Sequence, residues 1–390
     1  MNKKRIISAG TLVMDMIPEF YPEEGTGERK AAGGTVYLKN IRTALGGSVG
    51  NTGVALKYLG SDVTLFSRVG SDEFGVIVEK ALKNTGCSYM VSESPDMHTS
   101  MSIVISYPHQ DRMILHSRGA SQRYRDTDIP EDLLNQNDMF HFGYPTGMTC
   151  MFEDSGETLS GIFQKVKQYG LTTSMDTSFP GVHTPAGKAN WREILKKTLP
   201  YVDIFLPSFE EIYLMLYREE YLENMKTFPE MKMEQIFDIK LVQKIASELI
   251  KMGAGAVVIK CGEKGSYLKC ADKKRIERFG KAVPEDTGAW DKKEIFTSPC
   301  KVNDIVSTNG AGDTFVAGFL NALLRGMAPE ETINFASASA AYRISHENGL
   351  RDVTGWQNIE QKIILKLEKM QKENFEGWIY DEKYKILKIM

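Results

Sequence analysis

The sequence is short of the residues that build cross-linked or metal-centred proteins. Its five cysteines (Cys87, Cys150, Cys261, Cys270 and Cys300) are odd in number, widely spaced and without a C-x-x-C pair. That pattern argues against a disulfide framework and fits reduced thiols filling a core. The six histidines include no H-x-x-x-H pair, so a transition-metal centre is not expected. Neither sign of charge dominates: 48 Lys and Arg against 51 Asp and Glu leave a net charge of −3. Such a balance gives no general attraction to nucleic acid or to an anionic membrane. No apolar run is long enough to span a bilayer. Residues 1–10 carry basic side chains but only a short apolar segment, which reads as a first strand and not a signal peptide. A cytoplasmic location is expected. Internal repeats and low-complexity tracts are also missing.

What is present is an ordinary globular composition, 42% hydrophobic and 25% charged, over 390 residues. The most informative stretch is Val306–Asp313, which runs into Thr314–Gly326. Val316, Phe319, Leu320, Leu323 and Leu324 form the stripe of an amphipathic helix, with Gly326 as its C-cap and Pro329 beyond. Gly310-Ala311-Gly312 therefore opens a buried helix. The first amides of a helix lack internal partners and carry partial positive charge, and small residues let an anion approach them. Asp313 in that first turn has two readings. It can be a capping acid, or it can take a proton from a hydroxyl that attacks a phosphorus. The turn alone leaves both open.

Along the chain, Arg5–Ala9 reads as a strand, and Asp15 follows just beyond it, where open α/β sheets bind ligands. Residues 18–35, rich in Pro, Glu and Gly, read as a loop. Gly46-Gly47 and Asn51 precede a helix over Thr52–Leu59. Asn51 both donates and accepts, which suits a polyol hydroxyl, although a tight capping loop explains it equally well. Val63–Val69 reads as a strand and Ser71–Thr85 as a helix. Met101–Tyr107 and Arg112–Arg118 form a hairpin. With a strand near Thr35–Asn40 they make a small β-layer, a lid drawn from about 11–45 and 97–120. From residue 139 strands and helices alternate, which predicts βαβ units and a mainly parallel sheet. Asp176 ends one strand. Ser208 and Glu211 form a capping box at the start of a helix. Lys260, Gly262 and Gly265 lie at and beyond a strand end. Residues 217–238 and 271–298 read as irregular insertions. Ala336, Ala338, Ala340 and Ala341 make a helix that a flat ring or another helix can approach. The tail carries a helix near Ile359–Lys372.

Taken together, these motifs resemble those of the PfkB-type, ribokinase-like carbohydrate kinases, over most of residues 5–352. The family's D-T-x-G-A-G-D signature is matched by Ser307–Asp313, and its Gly-Gly turn with an asparagine by Gly46, Gly47 and Asn51. The resemblance implies an α/β fold of three αβα layers, a mainly parallel sheet and a small β lid. A kinase domain over 1–352 and a C-terminal helical extension over 353–390 are expected. Asp313 is implied as the base and the amides of Gly310, Ala311 and Gly312 as the anion hole. Asp15, Gly46, Gly47 and Asn51 are implied to hold the sugar. Lys260, Gly262, Gly265, Thr308 and Ser337 are implied along ATP, and Glu211 is implied to organise magnesium through water. The lid is implied to pair two subunits. The chain departs from the pattern at Ser307, where relatives carry an aspartate that helps hold a monovalent cation such as potassium, and at Ser208, where they carry asparagine. The serine retains an oxygen but loses a full charge.

The leading expectation is an ATP-dependent kinase acting on a hydroxymethyl group of a sugar or sugar-like molecule. A nucleoside kinase is the alternative on the same fold, with Phe20, Tyr37, Tyr107 or Tyr144 as the wall for a base. A non-catalytic sensor on a kinase fold is the third reading, favoured by Ser307 and Ser208 and opposed by the intact Gly-Ala-Gly-Asp.

Overall fold

Neighbouring residues of the central strands feed two different cores. In β1 (Arg5–Gly10) Ile6 packs into one apolar cluster and Ile7 into the other. Met139 and Phe140 of β8 (Met139–Gly143) divide in the same way, as do Val257 and Val258 of β11 (Ala256–Lys260). A strand turns alternate side chains to opposite faces, so a sheet with apolar residues at every position must be covered on both sides. One face is covered by the helices Glu157–Gln168, Trp191–Thr198, Phe209–Leu216 and Ile239–Lys251. The other is covered by Glu73–Asn84, Ala311–Leu324 and Pro329–Ser345. Fully burying a Phe or Leu is worth about 1.5–3 kcal/mol. The two layers, with Phe140, Phe163 and Phe205 in one and Phe319 in the other, thus dominate the stabilisation. The computed structural model describes residues 3–21, 35–106, 113–227, 233–346, 349–352, 355, 357, 368–370 and 373–389.

Among the described residues the large sheet has eleven strands, in the order β14-β15-β13-β12-β11-β10-β9-β8-β1-β4-β5. Its parallel part runs from β11 through β10 (Ile204–Phe205), β9 (Thr172–Met175), β8 and β1 to β4 (Asp62–Gly70) and β5 (Ser88–Ser94). The strands β12 (Ser266–Cys270), β13 (Glu294–Thr297), β14 (Ile379–Asp381) and β15 (Ile386–Lys388) continue it antiparallel. This is the expected three-layer ribokinase-like architecture. The expected lid is, among the described residues, a separate four-stranded sheet in which β2 (Val13–Phe20) lies between β3 (Leu38–Gly46) and β6 (Met101–Ile105), and β7 (Met113–Ser117) pairs with β6.

Three expectations need correction. Residues 271–298 are not only an excursion, because β13 lies within them and pairs with β12. Residues 217–238 contain the helices Arg218–Thr227 and Met233–Ile236. The tail is not a purely helical extension: β14 and β15 add to the main sheet, and Lys369 bonds Thr297 Oγ1 at 2.9 Å and Asn334 Oδ1 at 3.0 Å. The helix expected near 359–372 falls almost wholly outside the described residues, as does Tyr107. The alanine-rich helix meets another helix. A Cβ on Gly318 would lie 2.7 Å from Ser339 Oγ and 3.0 Å from the Cα of Ala336, so glycine lets the Ala311–Leu324 and Pro329–Ser345 helices touch.

Candidate active site

The carboxyl ends of β1, β8 and β11, the N-terminal turn of the Ala311–Leu324 helix and the inner face of the lid sheet enclose one cleft of about 760 Å³. Ligands of open α/β sheets bind at this edge. Asp15, Gly47, Asn51, Glu211, Lys260, Gly262, Thr308, Gly310, Ala311, Gly312 and Asp313 all line it, although they span almost 300 positions of sequence.

Gly310 sits at φ 74°, a left-handed conformation that glycine adopts without a Cβ penalty, and it starts the helix. Asp313 is only 7% exposed. Its Oδ1 accepts from Thr52 Oγ1 at 3.2 Å and from the Tyr144 hydroxyl. Burial raises the Asp313 pKa, and the bonds from Tyr144 and Thr52, with the charge of Lys260, pull in the opposite direction without cancelling it. Both bonds use the same oxygen, and the Asn51 side chain also bonds the carboxylate, so three donors fix it. Tyr144 itself sits at φ 62°, unusual for a bulky residue and a form of local strain that tends to mark functional positions.

Lys260 approaches the same turn from β11. Its Nζ lies 3.9 Å from where a Cβ on Gly312 would stand. Its charge lowers the pKa of Asp176, Glu211 and Asp313 against the larger effect of burial, which raises all three. Glu211 Oε2 accepts from the Ser208 amide and from Thr177 Oγ1, each at 2.8 Å, so the expected capping box forms and holds the carboxylate in the cleft. Beneath the cleft, Asp176 is 1% exposed, and among the described residues no side chain donates to either of its oxygens, while the Tyr144 backbone gives it weak support. His141 Nε2 stands 3.5 Å from it, and burial and Lys260 push the imidazole down to about 3. His141 is therefore neutral at pH 7, and no ion pair forms.

Asp15 lies within β2 and not in a turn. Four expected site residues do not line the cleft. Gly46 acts through Asp15: a Cβ there would fall 2.2 Å from Asp15 Oδ2. Gly265, at φ 115°, is needed where β12 starts, since a Cβ would fall 2.1 Å from the Thr297 carbonyl oxygen. The Ser337 hydroxyl turns back to the Ile333 carbonyl inside its own helix. Ser307 Oγ accepts from the Asn309 amide at 3.2 Å. Sequence reasoning missed the bonds that Tyr144 and Thr52 make to Asp313. The residue types gave no sign of them, because both depend on the left-handed backbone at Tyr144 and on the packing of residues 49–53 against the Ala311–Leu324 helix.

Among the described residues no group of three or more His, Cys, Asp or Glu is arranged to hold a metal ion. Magnesium on a nucleotide needs few protein ligands, because phosphates and water supply the rest. Glu211 in the cleft fits that demand.

The family model for pfkB family carbohydrate kinases matches residues 3–353. The ATP-dependent 6-phosphofructokinase of Thermoanaerobacterium thermosaccharolyticum is 21% identical over 94% of this chain and 95% of its own. The 2-dehydro-3-deoxygluconokinase of Bacillus subtilis is 23% identical over 80% and 84% of the two chains. Among solved structures, Arabidopsis thaliana ribokinase complexed with ribose and ATP matches with TM-score 0.65 and 20% identity, over 93% of this chain and 98% of its own. The chain belongs to the pfkB family of carbohydrate kinases, phosphotransferases with an alcohol group as acceptor.

Proposed function

We propose that the cleft moves the γ-phosphoryl group of ATP to a hydroxymethyl oxygen of a sugar or sugar-like molecule, with Asp313 as general base. The observation that carries this reading is the Asp313 carboxylate, buried in the turn that Gly310–Gly312 open into the cleft and held by Tyr144, Thr52 and Asn51. The acceptor O–H gives its proton to Asp313. Its oxygen attacks the γ-phosphorus, and the bond from that phosphorus to the bridging oxygen breaks, leaving ADP with the electron pair. Negative charge on the transferring group is met by the Gly310–Gly312 amides and by Lys260. Magnesium, organised by Glu211 through water, would screen the phosphate charge.

Asp15 and Asn51 offer an acceptor and a mixed donor–acceptor to sugar hydroxyls, with Gly46 leaving the space Asp15 needs and Gly47 lying against the Thr11 carbonyl beside them. Ser102, His116 and Arg118 of the lid region face the same space. A sugar is favoured over a nucleoside because Asp15 and Asn51 offer polar partners, while of the described aromatics considered for a base wall Phe20 and Tyr37 do not line the cleft and the Tyr144 hydroxyl is committed to Asp313. Thr308 and Gly262 also line the cleft, and on this reading they lie along ATP. The lid's outward face, with Ile41, Met113 and Leu115 about half exposed, supports pairing with the lid of a second copy. The test is ADP release with ribose, fructose, 2-keto-3-deoxygluconate and adenosine in magnesium. Turnover with a sugar supports the reading, and turnover with adenosine alone replaces it by the nucleoside alternative.

A further inference from the structure

A second cavity, of about 570 Å³, lies on the other side of the Gly310 turn. It shares Asp15, Asn51, Asn309 and Gly310 with the first and adds Arg343 and Arg351. Arg343 comes from the last turn of the Pro329–Ser345 helix. Its side chain lies directly over Gly349, where a Cβ would fall 2.7 Å from its Cδ, and its Nε is 3.6 Å from where a Cβ on Gly310 would stand. Among the described residues Arg343 has no hydrogen bond and no carboxylate in ion-pair distance; burial and the charge of Arg351 lower its pKa, and the more weakly acting Asp313 pulls it the other way without cancelling them.

This is a costly place for a cation. The helix that starts at Gly310 already presents the positive end of its dipole, and a positive side chain there is normally unfavourable. With Lys260 against Gly312 on one side and Arg343 against Gly310 on the other, two cations flank the turn. Asp313 in the same turn offsets this charge only in part, so the arrangement becomes more favourable when a further anion sits on the turn, and such preorganised charge is what a site for a developing negative charge needs. The same geometry does not fit a free monovalent cation beside the turn. Ser307 brings no charge there, the Ile344 carbonyl accepts from the Val306 amide at 2.8 Å and the Ser307 amide at 3.3 Å, and the guanidinium already lies against Gly310.

We propose that Arg343 is a positioning residue that supplies, from a side chain fixed behind the Gly310–Gly312 turn, the positive charge that the resemblance assigns to a monovalent cation in related kinases, so that this enzyme turns over without potassium. The inference rests on the kinase reading above. It goes beyond that reading in naming Arg343 and in predicting indifference to potassium.

The test has a kinetic and a binding arm, each with wild type, Arg343→Met and Arg343→Lys, all first shown to be folded by their melting curves. Met keeps the packing over Gly349 and removes the charge; Lys restores the charge. With the acceptor found by ADP release, wild type is expected to change by less than about twofold between sodium, potassium and choline salts. Arg343→Met should lose about tenfold or more in kcat, below the ~10²–10³ of a directly contacting donor, while KM for ATP moves far less. Arg343→Lys should recover most of that loss. In the binding arm, affinity for ADP with aluminium fluoride and magnesium, a mimic of the transferring phosphoryl group, should fall more in Arg343→Met than affinity for ADP. Strong activation of wild type by potassium, or an Arg343→Met variant with unchanged kcat and unchanged fluoroaluminate affinity, would overturn the proposal. If no acceptor yields ADP, the kinase reading fails by itself, and the fluoroaluminate comparison still decides the role of Arg343.

Discussion

At the scale of single residues, Asp313 is held in a state that costs stability. Its pKa is raised above 3.8 in the folded chain, so the fold binds that proton more tightly than the unfolded chain does. The ionised carboxylate therefore destabilises the fold at neutral pH, and the penalty fades as pH falls through the raised folded pKa and is gone below the unfolded value. Asp313→Asn, which can still accept from Tyr144 and Thr52, should raise the melting temperature at pH 7 by about 2 °C or more. An unchanged or lower melting temperature would mean that the charge is not destabilising. The Tyr144 bond acts in the opposite direction, since it lowers the Asp313 pKa. In Tyr144→Phe the acid limb of the kcat/KM profile should move to higher pH, with reduced kcat. A limb that stays in place would separate Tyr144 from the base.

At the scale of elements, the close approach of two helices positions the Gly310 turn. Gly318→Ala would set a methyl within 3.0 Å of Ser339 and Ala336, where only backbone and short side chains can give way. Overpacking of this kind costs about 1–3 kcal/mol, which urea unfolding would register as a lower midpoint at unchanged slope. Much of this level is legible in the sequence. The alternation after residue 139, the Ser208–Glu211 box and the helix after Gly-Ala-Gly are local patterns with local causes, and they appear where expected. What escaped is short or set by distant partners. β13 has only the four residues Glu294–Thr297 between polar turns, and pairing with β12 makes it a strand. β5 is polar and half-buried at a sheet edge, so its alternation is weak. Gly265 and Ser337 carried the right motif positions, but backbone crowding at Thr297 and a hydroxyl turned to Ile333 give them structural tasks.

At the scale of the whole molecule, the lid sheet has two unlike faces. Asp15, Ser102, Ile114 and His116 turn to the cleft, while Ile41, Met113 and Leu115 turn away and stay about half exposed. Apolar side chains grouped on one face of a sheet suggest an interface. Leu115→Glu should convert a dimer to monomers in sedimentation measurements. A wild-type chain that is monomeric at micromolar concentration would remove the proposed pairing.

The two halves of the kinase signature meet only in the folded chain: Asn51 and Thr52 from one side of the sequence, and Gly310–Asp313 from the other, around one carboxylate. The most direct test of that arrangement is turnover of Asp313→Asn against wild type, with saturating ATP, magnesium and the sugar that wild type phosphorylates. A lost general base predicts a fall in kcat of about 10²–10⁴ with ATP affinity retained. Near-wild-type turnover by Asp313→Asn would contradict the assignment of the base and the mechanism built on it.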